Sequence, residues 1–391
     1  MKMISIKNLD VVFGDNTAEA LTLLDQGLSR QEIIDKTGSV VGVQNASLDI
    51  HEGEICVLMG LSGSGKSSLL RTLNGLNPIT RGSIMIQDDG REIDVANCDA
   101  ATMRHLRTNR VSMVFQKFAL MPWLNVLDNV AFGLEMKNID KKTRHKQAME
   151  KLEMVGLGEW AYSMPDELSG GMQQRVGLAR AFAMDTDILL MDEPFSALDP
   201  LIRAQLQDEL IELQRNLKKT ILFVSHDLDE ALKIGSHIGI MESAKIVQHG
   251  EPEDIVLNPE NAYVENFVAH TNPLNVLAGK TLMTTVDKLT VTDGRVVLDK
   301  ALGHWLTLDT DGRILQAGCG DKVLACHAWV SGDPVVGEFP MASPEVNMRD
   351  AVNLRYESRL PVLIVDDGKF VGVLKDNNFY YALLGKHFIA D

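Results

Sequence analysis

Three unbroken apolar runs stand out along the chain, at 55–59, 188–191 and 221–224, and a fourth at 111–115 is broken only by Ser112. Each is four or five residues long. A continuous apolar run of that length reads as a strand covered on both faces, as in a parallel sheet. Each run also ends on polar chemistry: a glycine-rich stretch follows Met59, Gln116 follows Phe115, Asp192 and Glu193 follow Met191, and Ser225-His226 follow Val224. Functional groups collect at the C-terminal ends of such strands.

Elsewhere the pattern lengthens or alternates. Residues 68–75 read as a helix stopped by Gly75, and 176–181 as part of another. Residues 17–24 and 29–34 read as two short helices. Ser29 and Glu32 have capping-box spacing there, with Gly27 and Gly38 as stops. Toward the end, 347–354 reads as a helix, and two β-rich runs flank Asp366-Asp367-Gly368, a hairpin signal. Weaker strand patterns lie at 296–298, 306–308 and 313–315.

The glycine-rich stretch is Gly60-Leu61-Ser62-Gly63-Ser64-Gly65-Lys66-Ser67, followed by Ser68. It fits the phosphate-binding pattern GxxxxGK[ST] and lies between a strand and a helix, as that loop requires. Glycines let backbone N–H groups curl around phosphates, and the helix N-terminus adds favourable partial charge. Lys66 would neutralise the β- and γ-phosphates, and the Ser67 hydroxyl would ligate Mg²⁺. Asp192 is expected in the Mg²⁺ shell, and Glu193 is the expected base that orients a water.

Four further segments, in this order, decide which nucleotide enzyme this is. Gln116 ends its strand; Leu168-Ser169-Gly170-Gly171-Met172 opens a helix; Ser196-Ala197-Leu198-Asp199 follows the acidic pair; and His226 ends its strand. Together with the phosphate loop they resemble ATP-binding-cassette ATPases over about residues 1–265, with Met172 at the signature's usual glutamine position. The resemblance implies an α/β fold: a P-loop NTPase cassette with a RecA-like mixed sheet and a helical subdomain at about 117–168. It implies ATP and Mg²⁺ as cofactors, with Gln116 sensing metal and water and His226 on the γ-phosphate. It also implies that Ser169, Gly170, Gly171 and Asp199 act on ATP held by a second subunit. Phe13 resembles the aromatic residue that stacks on adenine.

The insertion at about 16–40, and the run from Val114 to Val130, resemble the ATPases of glycine betaine, proline betaine and choline importers. The uncharged stretch 119–126 suits docking of a partner helix. The expected domains are a cassette over 1–270 and a tail over 271–391. The tail resembles a degenerate cystathionine-β-synthase-like α+β pair. Where such modules often carry Thr or Ser and then Asp for ribose, this chain has Lys375 and Asn378. Dimerisation and docking, with little adenine-nucleotide binding, are therefore expected of the tail. The resemblance implies a homodimer at the cytoplasmic face of the inner membrane, working with an integral permease and an extracytoplasmic binding protein. The importing of choline, glycine betaine or trimethylamine N-oxide is the expected role; a cassette ATPase for another transport or lipid-handling complex is the alternative.

Composition narrows the rivals. With 38 Lys and Arg against 54 Asp and Glu, the net charge is −16, which gives no general attraction to nucleic acid. No run approaches the ~18 apolar residues that span a bilayer. The chain has one cassette and no heptad run, unlike translation or DNA-repair cassettes. The four scattered cysteines read as reduced thiols.

Overall fold

The structure, a computed structural model, describes residues 1–384 apart from 117–118, 197, 270–271, 273, 275 and 331–332. The chain divides into two compact units, Met1–Pro252 and Glu253–Asp391. The boundary expected at 270/271 falls outside the described residues, as do Lys117 and Ala197 of the sequence motifs.

In the first unit the apolar runs form a six-stranded sheet. Its order is Lys245–Gly250, His237–Glu242, Ile55–Met59, Thr220–Val224, Ile188–Asp192 and Val111–Val114. The last five strands are parallel, and Lys245–Gly250 is an antiparallel edge. Ile55–Met59, Ile188–Asp192 and Thr220–Val224 are buried at every position, which accounts for their lack of polar alternation. A four-stranded antiparallel sheet, built from Lys2–Phe13, Val40–His51, Arg81–Asp88 and Arg91–Asp94, packs against it over one apolar core.

Helices Val126–Met136 and Lys141–Met154, within 117–168, form a separate apolar cluster together with Gly170–Ala183 beyond it. The loop before it is pinned by Asn129, which is fully buried. Its side chain accepts from Met121 N at 2.8 Å and donates to the carbonyls of Met121, Leu124 and Asn125 at 2.9–3.1 Å. That bracing holds Trp123 outward, 73% exposed.

The insertion is helical over Thr17–Asp25 and Arg30–Thr37. Ser29 and Glu32 close the capping box, and Gly38, at φ 71°, ends the second helix in the left-handed conformation.

In the second unit, a mixed five-stranded sheet contains the hairpin Val362–Asp366 and Lys369–Leu374, preceded by the helix Met348–Ser358. Where a first regulatory half would place helices, Thr290–Thr292, Arg295–Asp299, His304–Leu308, Ile314–Cys319 and Lys322–Leu324 instead make an antiparallel meander. Val296, Leu298, Leu306 and Ala317 bury its apolar face. Asn378 is occupied internally: its carbonyl accepts from Lys375 N at 2.8 Å and its amide donates to Leu282 O at 2.7 Å.

Candidate functional site

Gly60, Gly63 and Gly65 adopt φ of 142°, 79° and 104° between the strand Ile55–Met59 and the helix Lys66–Leu70. A Cβ on Gly60 would strike the Met241 carbonyl oxygen, and one on Gly65 the Gly42 carbonyl oxygen. Only glycine fits these positions, on both conformational and steric grounds. Lys66 is 5% exposed and donates to the carbonyls of Gly60 at 2.7 Å and Leu61 at 3.1 Å. Burial lowers its pKa from the usual lysine value, while the carboxylates of Glu193 and Asp192 act in the opposite direction. The hydroxyl of Ser64 is buried without a hydrogen-bond partner.

Asp192 is fully buried at the end of its strand. Its Oδ1 accepts from the Ser67 hydroxyl at 2.6 Å, and its Oδ2 from Arg71 Nε and Nη2 at 3.2 and 2.8 Å. The guanidinium, with two donors on one oxygen, compensates a charge that burial alone would make costly. One residue on, Glu193 turns left-handed, φ 48°, so its side chain diverges from that of Asp192. The bend is held on both sides: Glu193 N donates to Val224 O at 3.1 Å, and the Ser196 hydroxyl and Gln174 amide donate to Glu193 O at 3.0 and 3.3 Å. Gln116 Nε2 then reaches Glu193 Oε2 at 2.9 Å, and His226 Nδ1 lies 3.3 Å from the same oxygen.

Three residues separated by up to 110 positions thus meet on one carboxylate oxygen. Phe13 ends its strand beside this loop: a Cβ on Gly42 would press on its ring and on Ser68 Cβ, at 3.3 Å from the latter. Ser169 and Asp199 are held differently. Ser169 Oγ accepts from Met172 N at 3.3 Å, and Asp199 Oδ1 from Ile202 N at 3.1 Å, so each caps its own helix. Gly170 and Gly171 form the first turn behind Ser169.

A model of the ABC transporter family matches residues 43–196. The glycine betaine transport ATP-binding protein OpuAA of Bacillus subtilis is 41% identical over 394 residues, covering 96% of this chain and 93% of that one. The chain belongs to the ABC transporter family, among its ATP-binding subunits. The glycine betaine/proline betaine ATP-binding protein ProV of Escherichia coli is 52% identical over 277 residues, 71% of this chain and 68% of that one. TmoW of Ruegeria pomeroyi, a trimethylamine N-oxide ATP-binding protein, is 46% identical over 276 residues, 70% and 79% of the two chains. Among solved structures, the dimeric cassette MJ0796 superposes with a TM-score of 0.56 at 30% identity, over 64% of this chain and 99% of that one. The same cassette is known as a dimer bound to ADP and phosphate.

As an ABC ATPase the protein takes ATP with Mg²⁺, and its residues fit both. The loop amides and the unpartnered Ser64 hydroxyl suit phosphate oxygens. The touching hydroxyl and carboxylate of Ser67 and Asp192 are the hard oxygen donors that Mg²⁺ prefers. Arg71, Gln174 and Gly42 were not legible as site residues. Arg71 caps the end of a helix that reads only as apolar packing, Gln174 bonds a backbone carbonyl, and Gly42 acts through backbone approach, none of which leaves a composition signal.

Proposed function

We propose that this ABC ATPase energises import of a quaternary or related amine, such as glycine betaine, choline or trimethylamine N-oxide. The likeness to OpuAA across nearly the whole chain supports it, because it extends through the insertion and the tail. Among the described residues no helix is long and apolar enough to cross a membrane. An integral permease and an extracytoplasmic binding protein would therefore supply the pathway and the selectivity, with this subunit on the cytoplasmic face. The braced loop displaying Trp123 is the surface that would receive the permease.

In this reading Phe13 stacks on adenine. The segment from Gly60 to Ser68 cradles the phosphates, with Leu61 and Ser62 exposed on the loop, and Lys66 neutralises the β- and γ-oxygens. Ser67, Asp192 and Gln116 would hold Mg²⁺, which would supply charge neutralisation to the transferring phosphoryl group. Glu193 orients the attacking water and takes its proton, and His226 contacts the γ-phosphate. A homodimer would bring Ser169, Gly170, Gly171 and Asp199 of each subunit onto the other's nucleotide. The helix start behind Ser169 offers unpaired N–H groups to the phosphates. The tail, Glu253–Asp391, would serve dimerisation and docking.

Uptake into vesicles containing the co-purified permease tests the reading. ATP-dependent accumulation of labelled glycine betaine, choline or trimethylamine N-oxide is expected, and Glu193→Gln in this chain should abolish it. Accumulation of none of these amines overturns the substrate class. Purification without any membrane partner overturns the importer assignment.

A further inference from the structure

The nucleotide site occupies the C-terminal ends of the parallel strands. At the opposite end, about 13 Å along the strand from Gly60 at ~3.3 Å per residue, a second group of side chains converges that ATP chemistry does not use. His51 closes the strand Val40–His51, Glu54 sits in the turn that follows, and Cys56 is inside the strand Ile55–Met59. His237 opens the neighbouring strand directly opposite Cys56. His249 lies on the antiparallel edge strand next to it, its ring stacked on His237 with centroids 5.5 Å apart.

The ligand-type atoms of Glu54, Cys56 and His249 all fall within 4.8 Å of one another. The carboxylate of Glu54 is 7% exposed, and its two oxygens have different surroundings. Oε2 accepts from His51 N at 2.7 Å and lies 3.2 Å from His51 Nδ1. Oε1 lies 2.9 Å from His237 Nδ1, an ion-pair contact when that ring is protonated, but neither buried atom has a hydrogen bond of good geometry. A buried carboxylate oxygen without a hydrogen bond is costly as it stands. A metal cation coordinated by Oε1 would offset that cost.

We propose that Glu54, Cys56 and His249 form a site for a divalent transition metal of the zinc class, with the fourth position taken by water. One thiol sulfur, one carboxylate oxygen and one imidazole nitrogen are the mixed set that selects zinc-type ions over Mg²⁺ or Ca²⁺. His51 supplies the outer support, since its hydrogen bond to Oε2 leaves Oε1 free for the ion. His249 is at the surface, which gives the ion an entry path. On binding, the metal–sulfur bond replaces the S–H bond of Cys56, and that proton leaves to solvent. The ion would tie the edge strand Lys245–Gly250 to the root of Ile55–Met59, the strand that leads into the phosphate loop.

Co²⁺ is the probe, titrated into the full chain after chelator dialysis and without nucleotide. One Co²⁺ per chain is expected, with visible bands of tetrahedral intensity, a near-ultraviolet thiolate band, and displacement by Zn²⁺. Cys56→Ser should remove the near-ultraviolet band. His249→Ala should weaken Co²⁺ binding at least about tenfold while leaving Mg²⁺-dependent ATP hydrolysis unchanged. Absence of the thiolate band in the parent protein overturns the site. So does its persistence in Cys56→Ser, which would assign it to Cys98, Cys319 or Cys326. If Cys56→Ser does not fold, the surface variant decides, and unaltered Co²⁺ affinity in His249→Ala overturns the proposal.

Discussion

The Arg30 guanidinium donates a hydrogen bond to the Gly63 carbonyl oxygen at 3.0 Å, so the helical insertion touches the phosphate-binding loop itself. Arg30 is the first residue of the helix Arg30–Thr37, whose capping box fixes its position. A partly exposed hydrogen bond from a charged donor is worth about 1 kcal/mol, or about fivefold in an equilibrium. Arg30→Ala should therefore raise the KM for ATP about fivefold with kcat little changed, and Arg30→Lys should recover part of the loss. Steady-state hydrolysis at graded ATP concentration checks it. An unchanged KM would show that the insertion is indifferent to the loop.

Glu193 is the expected general base, and two neighbours converge on one of its oxygens. Glu193→Gln keeps the shape while removing the basicity. Turnover should fall by about 10²–10⁴, the usual contribution of a positioned base, with ATP affinity retained. Single-turnover hydrolysis alongside nucleotide-binding titration separates the two effects. Near-parental turnover would move the base elsewhere.

Shared ATP sites give a test by mixing. Subunits carrying Ser169→Arg and subunits carrying Lys66→Ala are each expected to be inactive alone. A mixed dimer contains one site with both defects and one with neither, so mixing should restore part of the hydrolysis. Failure to restore any activity, with heterodimers demonstrated by tag capture, would place Ser169 and Lys66 on the same nucleotide.

Glu230 links two parts of the site. It is 8% exposed, accepts from the Gln207 amide at 3.0 Å and from the Ser225 hydroxyl at 2.5 Å, and so ties the loop carrying His226 to the helix Pro200–Leu217 capped by Asp199. Burial raises its pKa above the ordinary value, outweighing those two hydrogen bonds. The folded chain therefore holds its proton at pH values where the unfolded chain has lost it. Stability from this group must fall as pH rises from the ordinary glutamate value through the raised one, and the full cost persists above. Glu230→Gln should flatten that part of the melting-temperature profile. An unchanged pH profile would show that the carboxyl titrates normally.

The sequence made the parallel sheet and its strand-end chemistry legible because complete burial leaves unbroken apolar runs, as at 188–191. Glu193 could be named because strand ends are where such sheets present side chains, and Gln116 and His226 from the order in which their motifs resemble those of cassette ATPases. Their meeting on one oxygen could not be read, since it depends on the left-handed turn at Glu193, a conformation that glutamate does not advertise. The role of Asn129 is hidden for a related reason: its bonds go to backbone carbonyls, which carry no residue identity. In the tail, the weak runs at 296–298 and 306–308 did mark strands, but nothing in them distinguished a five-stranded meander from half of a helical pair.

The tail's handling of nucleotide follows from Asn378 and Asp376. Asn378 is already bonded to Lys375 N, Leu282 O and Thr284 Oγ1, and Asp376 is paired with Arg355 at 2.9 Å. Neither group is free to receive a ribose without breaking these bonds, each worth about 1 kcal/mol and more for the charged pair. Over 275–391 there are 12 Lys and Arg against 15 Asp and Glu, with no basic cluster of the kind that reads anionic lipid. The full chain carrying Lys66→Ala, in which the cassette's own site is disabled, should therefore show no saturable micromolar binding of AMP in calorimetry. It should likewise show no salt-reversible binding to vesicles containing phosphatidylserine. Micromolar AMP binding that survives Lys66→Ala and disappears on Asn378→Ala would make the tail a nucleotide sensor, and strong salt-reversible vesicle binding would make it a lipid sensor.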